Sequence, residues 1–282
     1  MSVLLVLAAV SLLAVGCSDN DSDKITDSGQ LGTSGVVLLM HDAPIDSLSE
    51  VWLTVNSIRL LTSTDDDADT TEVEDDSSDT SGTIALSEPV RMNLLALDSI
   101  SRVLAVASAP AGVYGKIRLY VSDPLFVLDD ATEIPAEQIK LVANGKVDLN
   151  PQGDVIVTTD AFTVVVLDLD VENSVQVNQT GSETYILRPQ VFVDATVDSL
   201  ERVELMGGVI ASIDRAMGEI TVGTPGSGET IVAVIDGDTE LQDTDGSPLS
   251  ISSISTGMAI DIHGVFDTKR LVVYADQITL LQ

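Results

Sequence analysis

Cysteine, aromatic residues and positive charge are all scarce in this sequence of 282 residues. Its single cysteine excludes an intramolecular disulfide and any metal site built from several thiolates. Thirteen lysines and arginines face 45 acidic residues, which gives a formal charge of −32 at pH 7. Such a chain repels phosphate backbones, so nucleic acid is not an expected partner. It repels anionic membrane surfaces as well, so any membrane attachment has to be covalent or hydrophobic.

The apolar residues that are present favour strands. They make up 44% of the chain and are mostly Val, Leu, Ile and Ala, with only one Trp, four Tyr and four Phe. Together with 20 Gly and nine Pro, this composition is typical of strands joined by turns. It also supplies enough apolar surface for a real core.

The N-terminus combines an apolar stretch with the only cysteine. Residues 3–15, VLLVLAAVSLLAV, carry no charge, have the length of a signal-peptide core and are shorter than the roughly 20 residues that span a bilayer. Gly16 and Cys17 follow, and the run AVGC resembles a bacterial lipobox, although Ala14 stands where lipoboxes prefer leucine. The resemblance implies a signal peptide at 1–16, cleavage between Gly16 and Cys17, and a lipid on the Cys17 thiol. The alternative is a buried cysteine in an apolar N-terminal helix.

The acyl chains and the residues after the cysteine predict how the folded part of the chain is attached to a membrane. Two or three acyl chains would anchor it stably, since one chain alone binds only marginally. Ser18, by resemblance to enterobacterial sorting signals, favours the outer membrane. Residues 17–34 are polar and nonperiodic, which predicts a flexible tether. We therefore expect a lipid-anchored protein of the cell envelope.

Alternating apolar patterns predict a β-sandwich over residues 35–196, transthyretin- or immunoglobulin-like in style. In YGKIRLYV (114–121) and AFTVVVLDLDV (161–171), apolar residues recur at every second position, and turn signals separate many such segments. Residues 62–82 interrupt the pattern with nine acids and no base, which predicts a solvated surface loop. Calcium binding is the alternative there, but an EF-hand loop counted from Asp65 lacks its glycine.

The last part of the chain predicts a second, smaller unit. Residues 207–282 hold five or six short strands separated by turn sequences such as DRAMG, TPGSG and DTDGS. A small closed or partly open barrel suits this number of strands, because closure removes exposed edges. Residues 197–206 are predicted to be a linker. The expected fold class is therefore all-β, with an N-terminal sandwich and a C-terminal barrel.

Several sequence blocks resemble known but uncharacterised bacterial domains. The segments VVLLMHDAPIDSLSEVWLTVNSIRL, APAGVYGKIRLYV and YILRPQVFV keep the order of a lipoprotein domain of unknown function, over about residues 35–196. That family shows an L-T-D-A-P opening and a P-A-G-x-Y-x-x-I-R-L centre. Residues 208–280 are similar to a second uncharacterised family of small β-domains. Neither resemblance implies a reaction, a cofactor or established site residues.

Few residues form candidate sites for chemistry. Asp168 and Asp170 are predicted to project from one strand face about 7 Å apart, as weak candidates for a metal site. His41 and His263 are the only histidines, and no G-x-S-x-G elbow accompanies them. Tyr114 is predicted to be a structural residue whose buried ring keeps its hydroxyl on a backbone partner, as in a tyrosine corner.

The function expected from the sequence is a non-catalytic structural or binding module on a lipid anchor, without a cofactor. The partner beyond the membrane stays open between an envelope protein, a glycan and Ca²⁺. A surface glycan- or calcium-binding adhesin is the first alternative, and the short supply of aromatics weighs against glycans. An envelope hydrolase that uses paired acids is the second alternative.

Overall fold

The computed structural model describes residues 34–42, 48–62, 82–86, 88–151, 153–159, 161–178, 184–196 and 199–281. The predicted signal peptide, the tether up to residue 33, and Gly16 and Cys17 lie outside these residues. The acidic segment 63–81 lies outside them as well, so only the two ends of the predicted loop are described.

Strands dominate the described chain, as the composition predicts. Those that precede residue 197 are β1 (Gly35–Asp42), β2 (Leu48–Leu61), β3 (Thr83–Leu86), β4 (Val90–Asn93), β5 (Ser101–Ser108), β6 (Gly112–Tyr114), β7 (Lys116–Leu128), β8 (Glu133–Ile134), β9 (Ile139–Leu141), β10 (Lys146–Leu149), β11 (Val155–Val157), β12 (Phe162–Leu169), β13 (Val175–Asn178), β14 (Thr184–Leu187) and β15 (Val191–Thr196). One four-residue α-helix, α1 (Val171–Ser174), lies between β12 and β13, and short 3₁₀ helices occupy Leu94–Leu97, Ala136–Gln138 and Val142–Gly145. Within the described residues, no helix has the length and apolar character needed to cross a membrane.

Two of the sheets enclose the first hydrophobic core. The first sheet runs in the order β15-β12-β1-β5, and the second in the order β10-β7-β2-β3 with β4 and β8 attached. Alternate residues of both sheets, such as Leu38, Leu60 and Leu119, meet in one buried cluster. The smaller sheets β6-β11 and β9-β14-β13 complete this part, and Ile139, Tyr185 and Leu187 join the same cluster. The predicted sandwich is confirmed.

The remaining strands form a closed barrel. They are β16 (Leu200–Asp214), β17 (Glu219–Gly223), β18 (Thr230–Val234), β19 (Glu240–Asp243), β20 (Ala259–Asp267) and β21 (Val272–Leu280), with a 3₁₀ helix at Ile251–Ser253. Pairing runs β16-β17-β18-β21-β20 and returns from β20 to β16, so five strands close on themselves. The β18–β21 pair is parallel, and β19 adds to β21 outside the ring. The predicted C-terminal barrel is confirmed.

Strand β1 is buried on both of its faces. Val36, Leu38 and Met40 belong to the sandwich core, whereas Val37 and Leu39 belong to a second buried cluster that fills the barrel. A strand covered on both sides reads as a continuous apolar run, which explains the sequence VVLLM. The barrel core and the sandwich core therefore lie on opposite sides of one sheet.

The first half of β16 joins the barrel to the sandwich. Residues 200–206, predicted to be a linker, are part of this 15-residue strand. Val203 and Glu204 pair in parallel with Ser101 and Arg102 of β5, so the first sheet continues into the barrel. Arg102 Nε donates to Glu204 Oε1 over 2.6 Å, and both side chains are largely buried.

The β17–β18 turn, TPGSG, makes a second connection. Ser227 Oγ accepts a hydrogen bond from the Val106 backbone N–H, and Gly226 O accepts one from Glu88 N–H. Gly226 has a φ of +79°, and a Cβ on it would collide with the side chain of Leu86. This turn therefore needs a glycine for its own conformation and for its approach to the sandwich.

We predict that Leu39→Ala destabilises the whole described fold by about 2–5 kcal/mol, because a fully buried leucine leaves a cavity. Urea unfolding should show one transition, shifted to a lower urea concentration. Leu39 lies on a sandwich strand but packs in the second core, so its loss should weaken sandwich and barrel together. Leu200→Ala is the control, since Leu200 is 68% exposed and should change the free energy of unfolding by less than about 0.5 kcal/mol. Two transitions, of which Leu39→Ala moves only one, would contradict the prediction.

Candidate binding groove

A groove of about 480 Å³ opens where β1, β12 and β15 lie side by side and β16 begins. The strand register brings its polar residues together, since His41 lies opposite Asp168 and Asp168 lies opposite Phe192. These side chains are on the outer face of the first sheet. The groove is lined by His41, Val166, Asp168, Phe192, Val193, Asp194 and Glu201.

The imidazole of His41 is held in one orientation. Its Nδ1 lies 2.6 Å from the carbonyl oxygen of Leu97, which can only accept, so Nδ1 carries a proton and donates it to this oxygen. Leu97 ends a 3₁₀ helix whose first residue follows Asn93. The Asn93 side chain accepts from the backbone N–H groups of Val51 and Leu95, which fixes this helix to β2.

The groove carries negative charge beside an exposed ring. Asp168, Asp194 and Glu201 supply three carboxylates, and Phe192 is 52% exposed. Carboxylates attract cations and the face of an aromatic ring adds to that attraction, so the groove suits a positively charged ligand. No three His, Cys, Asp or Glu side chains in the described parts of the chain converge closely enough to hold a metal ion.

Asp170 does not share a strand face with Asp168. Strand β12 ends at Leu169, and Asp170 is the N-cap of α1. Its Oδ1 accepts from the Asn173 backbone N–H over 3.0 Å, and its Oδ2 accepts from Asn173 Nδ2 over 2.7 Å. The expected pair on one strand face is therefore wrong, because a helix begins at the position where alternation would place the second carboxylate. Asp168 remains in the groove.

The other singled-out residues lie apart from the groove. His263 is on β20, where the register places it opposite Glu204. In the described part of the chain, neither histidine hydrogen-bonds to a serine hydroxyl. Tyr114 is 2% exposed and its hydroxyl donates to the Pro110 carbonyl over 2.8 Å, so its predicted structural role is confirmed. Gly16 and Cys17 lie outside the described residues.

Sequence reasoning missed that His41, Asp168, Phe192, Asp194 and Glu201 share one groove. Four separate strands contribute them, and only the spatial order of those strands makes them neighbours. One local signal was present: in VFVDAT, Phe192 and Asp194 alternate with buried Val193, which marks them as residues of the opposite face.

Comparison with known proteins identifies one family. A family model described as a domain of unknown function, DUF4382, matches residues 33–189, which is more than half of the chain. Neither the curated proteins nor the solved structures contain a match. The matched range includes His41 and Asp168 and ends before Phe192, Asp194, Glu201 and the barrel.

We predict that Asp170→Ala lowers the free energy of unfolding by about 0.5–2 kcal/mol, because it removes a helix cap. Asp168→Ala is the matched control and should change it by less than about 0.5 kcal/mol, since this half-buried carboxylate faces the groove. Chemical denaturation of the two variants measures both values. Equal losses would show that Asp168 is as structural as Asp170.

Proposed function

The chain belongs to the DUF4382 family, a family of unknown function, and from that premise we propose that it is a lipid-anchored lipoprotein of the bacterial cell envelope. Its β-rich units act as a non-catalytic structural or binding module. The outer membrane is the favoured location, on the identity of Ser18.

One observation carries this proposal: the only cysteine of the chain follows an uncharged apolar run and a small residue, at Gly16-Cys17. A lipid on its sulfur would explain why the rest of the chain holds no thiol. The formal charge of −32 supports a covalent anchor, because electrostatic attraction to anionic lipids is excluded. Residues 18–33 then separate the anchor from β1.

We predict that the full chain, expressed in a bacterial host with an alkyne analogue of palmitate, incorporates the label and fractionates with membranes. Cys17→Ala should abolish both, because the thiol is the lipid acceptor, whereas Ser18→Ala should retain the label. Intact mass should place the mature N-terminus at Cys17. Unlabelled wild-type chain with residues 1–16 still attached would contradict the proposal.

A calcium-dependent module is the alternative form of the binding role. Asp168, Asp194 and Glu201 supply the oxygen ligands that Ca²⁺ prefers, and extracellular modules bind it with dissociation constants of about 0.1–1 mM. The ion would have to draw them together, since they do not converge on one point. An ion that binds the folded chain and not the unfolded chain would raise the free energy of unfolding.

We predict that 10 mM CaCl₂ raises the Tm of the full chain by about 2–4 °C, the shift that weak binding to a protein of this size gives. NaCl at the same ionic strength should give a smaller shift, because it only screens charge. Replacing Asp168 and Asp194 by Asn should remove the calcium-specific part. The same shift in wild type and double variant would place the effect elsewhere in this acidic chain.

A further inference from the structure

Strand β15 is the last strand of the first sheet, and only one of its two edges is paired within the described parts of the chain. It pairs with β12 from Val191 to Thr196 without a register shift. No other described strand pairs with it, and we call its second side the open edge. Alternate residues of such a strand direct both N–H and C=O away from the sheet, where another strand can pair with them.

The outer strand of the barrel shows how a covered edge differs. β19 pairs with β21 on one side, and residues 247–249 fold back along it, where Leu249 N–H donates to Leu241 O over 2.7 Å. Proteins also protect edges with proline, lysine or a bulge. The β15 sequence VFVDAT contains no proline or lysine, and Asp194 is its only charged residue. The open edge of β15 therefore suits a strand that tolerates one negative charge.

The groove lies along the outer face of this same strand. Phe192 and Asp194 both line it, and the Phe192 ring is 52% exposed. Val193 lines it too, although its side chain belongs to the sandwich core, so the main chain of β15 borders the groove. A strand added at the open edge would thus lie beside the groove and share its outer face.

Pleating determines which side chains of an added strand would enter the groove. Cβ atoms of directly opposite residues on paired strands lie about 4.5–5.5 Å apart, so positions opposite Phe192 and Asp194 would contact them. These positions are two residues apart, and the position between them would point to the opposite face, beside Val193. The groove therefore selects every second side chain of an extended segment.

The charge of the groove determines which side chains those are. Asp194 on β15, Asp168 on β12 and Glu201 on β16 place carboxylates across its width, beside the exposed face of Phe192. Lysine and arginine complement both the carboxylates and the ring. A second copy of this chain would instead bring another Asp194 and another formal charge of −32, and like charges oppose such a contact.

We propose that the open edge of β15 and the adjacent groove bind an extended basic segment of another protein, which adds to the first sheet as a strand. Its backbone pairs with β15, and main-chain bonds of this kind supply affinity in strand addition. Its lysine or arginine side chains, at every second position, enter the groove, and apolar residues alternate with them. The proposal rests on the binding role proposed above and does not depend on a lipid at Cys17.

The test uses the full chain in neutral detergent and a fluorescent heptapeptide of alternating lysine and valine, in about 0.15 M NaCl to screen unspecific attraction. Fluorescence anisotropy should show saturable binding. The same peptide with its three central amides methylated keeps its charge and loses donors on both edges, so it should bind at least about tenfold less tightly. An isomer with its lysines grouped at the two ends should bind about two- to fivefold less tightly.

Site variants locate the binding. Asp168→Asn combined with Asp194→Asn should weaken binding about three- to tenfold, as expected for two partly exposed ion pairs. Asp238→Asn combined with Asp245→Asn removes the same charge from exposed turns of the barrel, and should change affinity by less than about twofold. In residue-resolved hydrogen exchange, the peptide should protect β15 amides that face away from β12 and leave those of β19 unchanged.

Four results would overturn the proposal. Equal affinity for the methylated and unmodified peptides would mean that charge alone binds them, and this comparison needs no variant. Equal effects of the two double variants, or protection outside β15, would place the peptide elsewhere. An outward-facing set of β15 amides already protected without peptide would make this chain the occupant of the edge, or a second copy if dilution removes the protection.

The anchor is tested separately from the partner. Loss of the palmitate label would overturn the lipoprotein and leave peptide binding in place. Absence of peptide binding by a labelled, membrane-bound chain would overturn the basic partner and leave the lipoprotein in place.

Discussion

Strand β1 is apolar and buried on both faces, and the arrangement of sandwich and barrel depends on it. Because either face of VVLLM could face either core, hydrophobic alternation alone does not fix its register. The two ends of the strand fix it instead. A Cβ at Gly35 would lie 2.6 Å from the Phe162 ring and collide with the Ala107 carbonyl, so only glycine fits there. At the other end, buried Asp42 accepts from the Val171 backbone N–H.

The same strand also positions the groove. His41 is the next outward-facing residue after Leu39, so the groove opens where the barrel core no longer covers the sheet. Glu201 reaches it because β16 leaves the sandwich alongside β5 and pairs there through Arg102 and Glu204. Breaking a buried ion pair of this kind by removing one partner is costly, so this connection holds Glu201 in place. The groove is therefore a product of how the two units join, although the matched family range covers only its β1 and β12 side.

Much of the fold follows from local pattern, whereas the site does not. Alternation in YGKIRLYV predicts that Ile117, Leu119 and Val121 face the core, and they do. The same alternation puts Arg118 on the outer face, but says nothing of its burial, which depends on Asp148 from another strand. Asp170 departs from its pattern because a helix cap outweighs the continuation of a strand. The groove escapes prediction for a simpler reason: parallel pairing of β1 with β12 joins residues more than 120 positions apart.

Charged residues are distributed unevenly over the two sheets of the sandwich. The groove is acidic, whereas strands β2, β7 and β10 of the second sheet carry Arg59, Lys116, Arg118 and Lys146 at neighbouring register positions. The position of the groove and of both cores depends on sandwich and barrel behaving as one cooperative unit around β1.

Native-state hydrogen exchange tests this cooperativity most directly. The account predicts that amides of β1 in the sandwich and of β20 in the barrel exchange with the same free energy, equal to that of global unfolding. Barrel amides that open at a clearly lower free energy, while β1 stays protected, would contradict it.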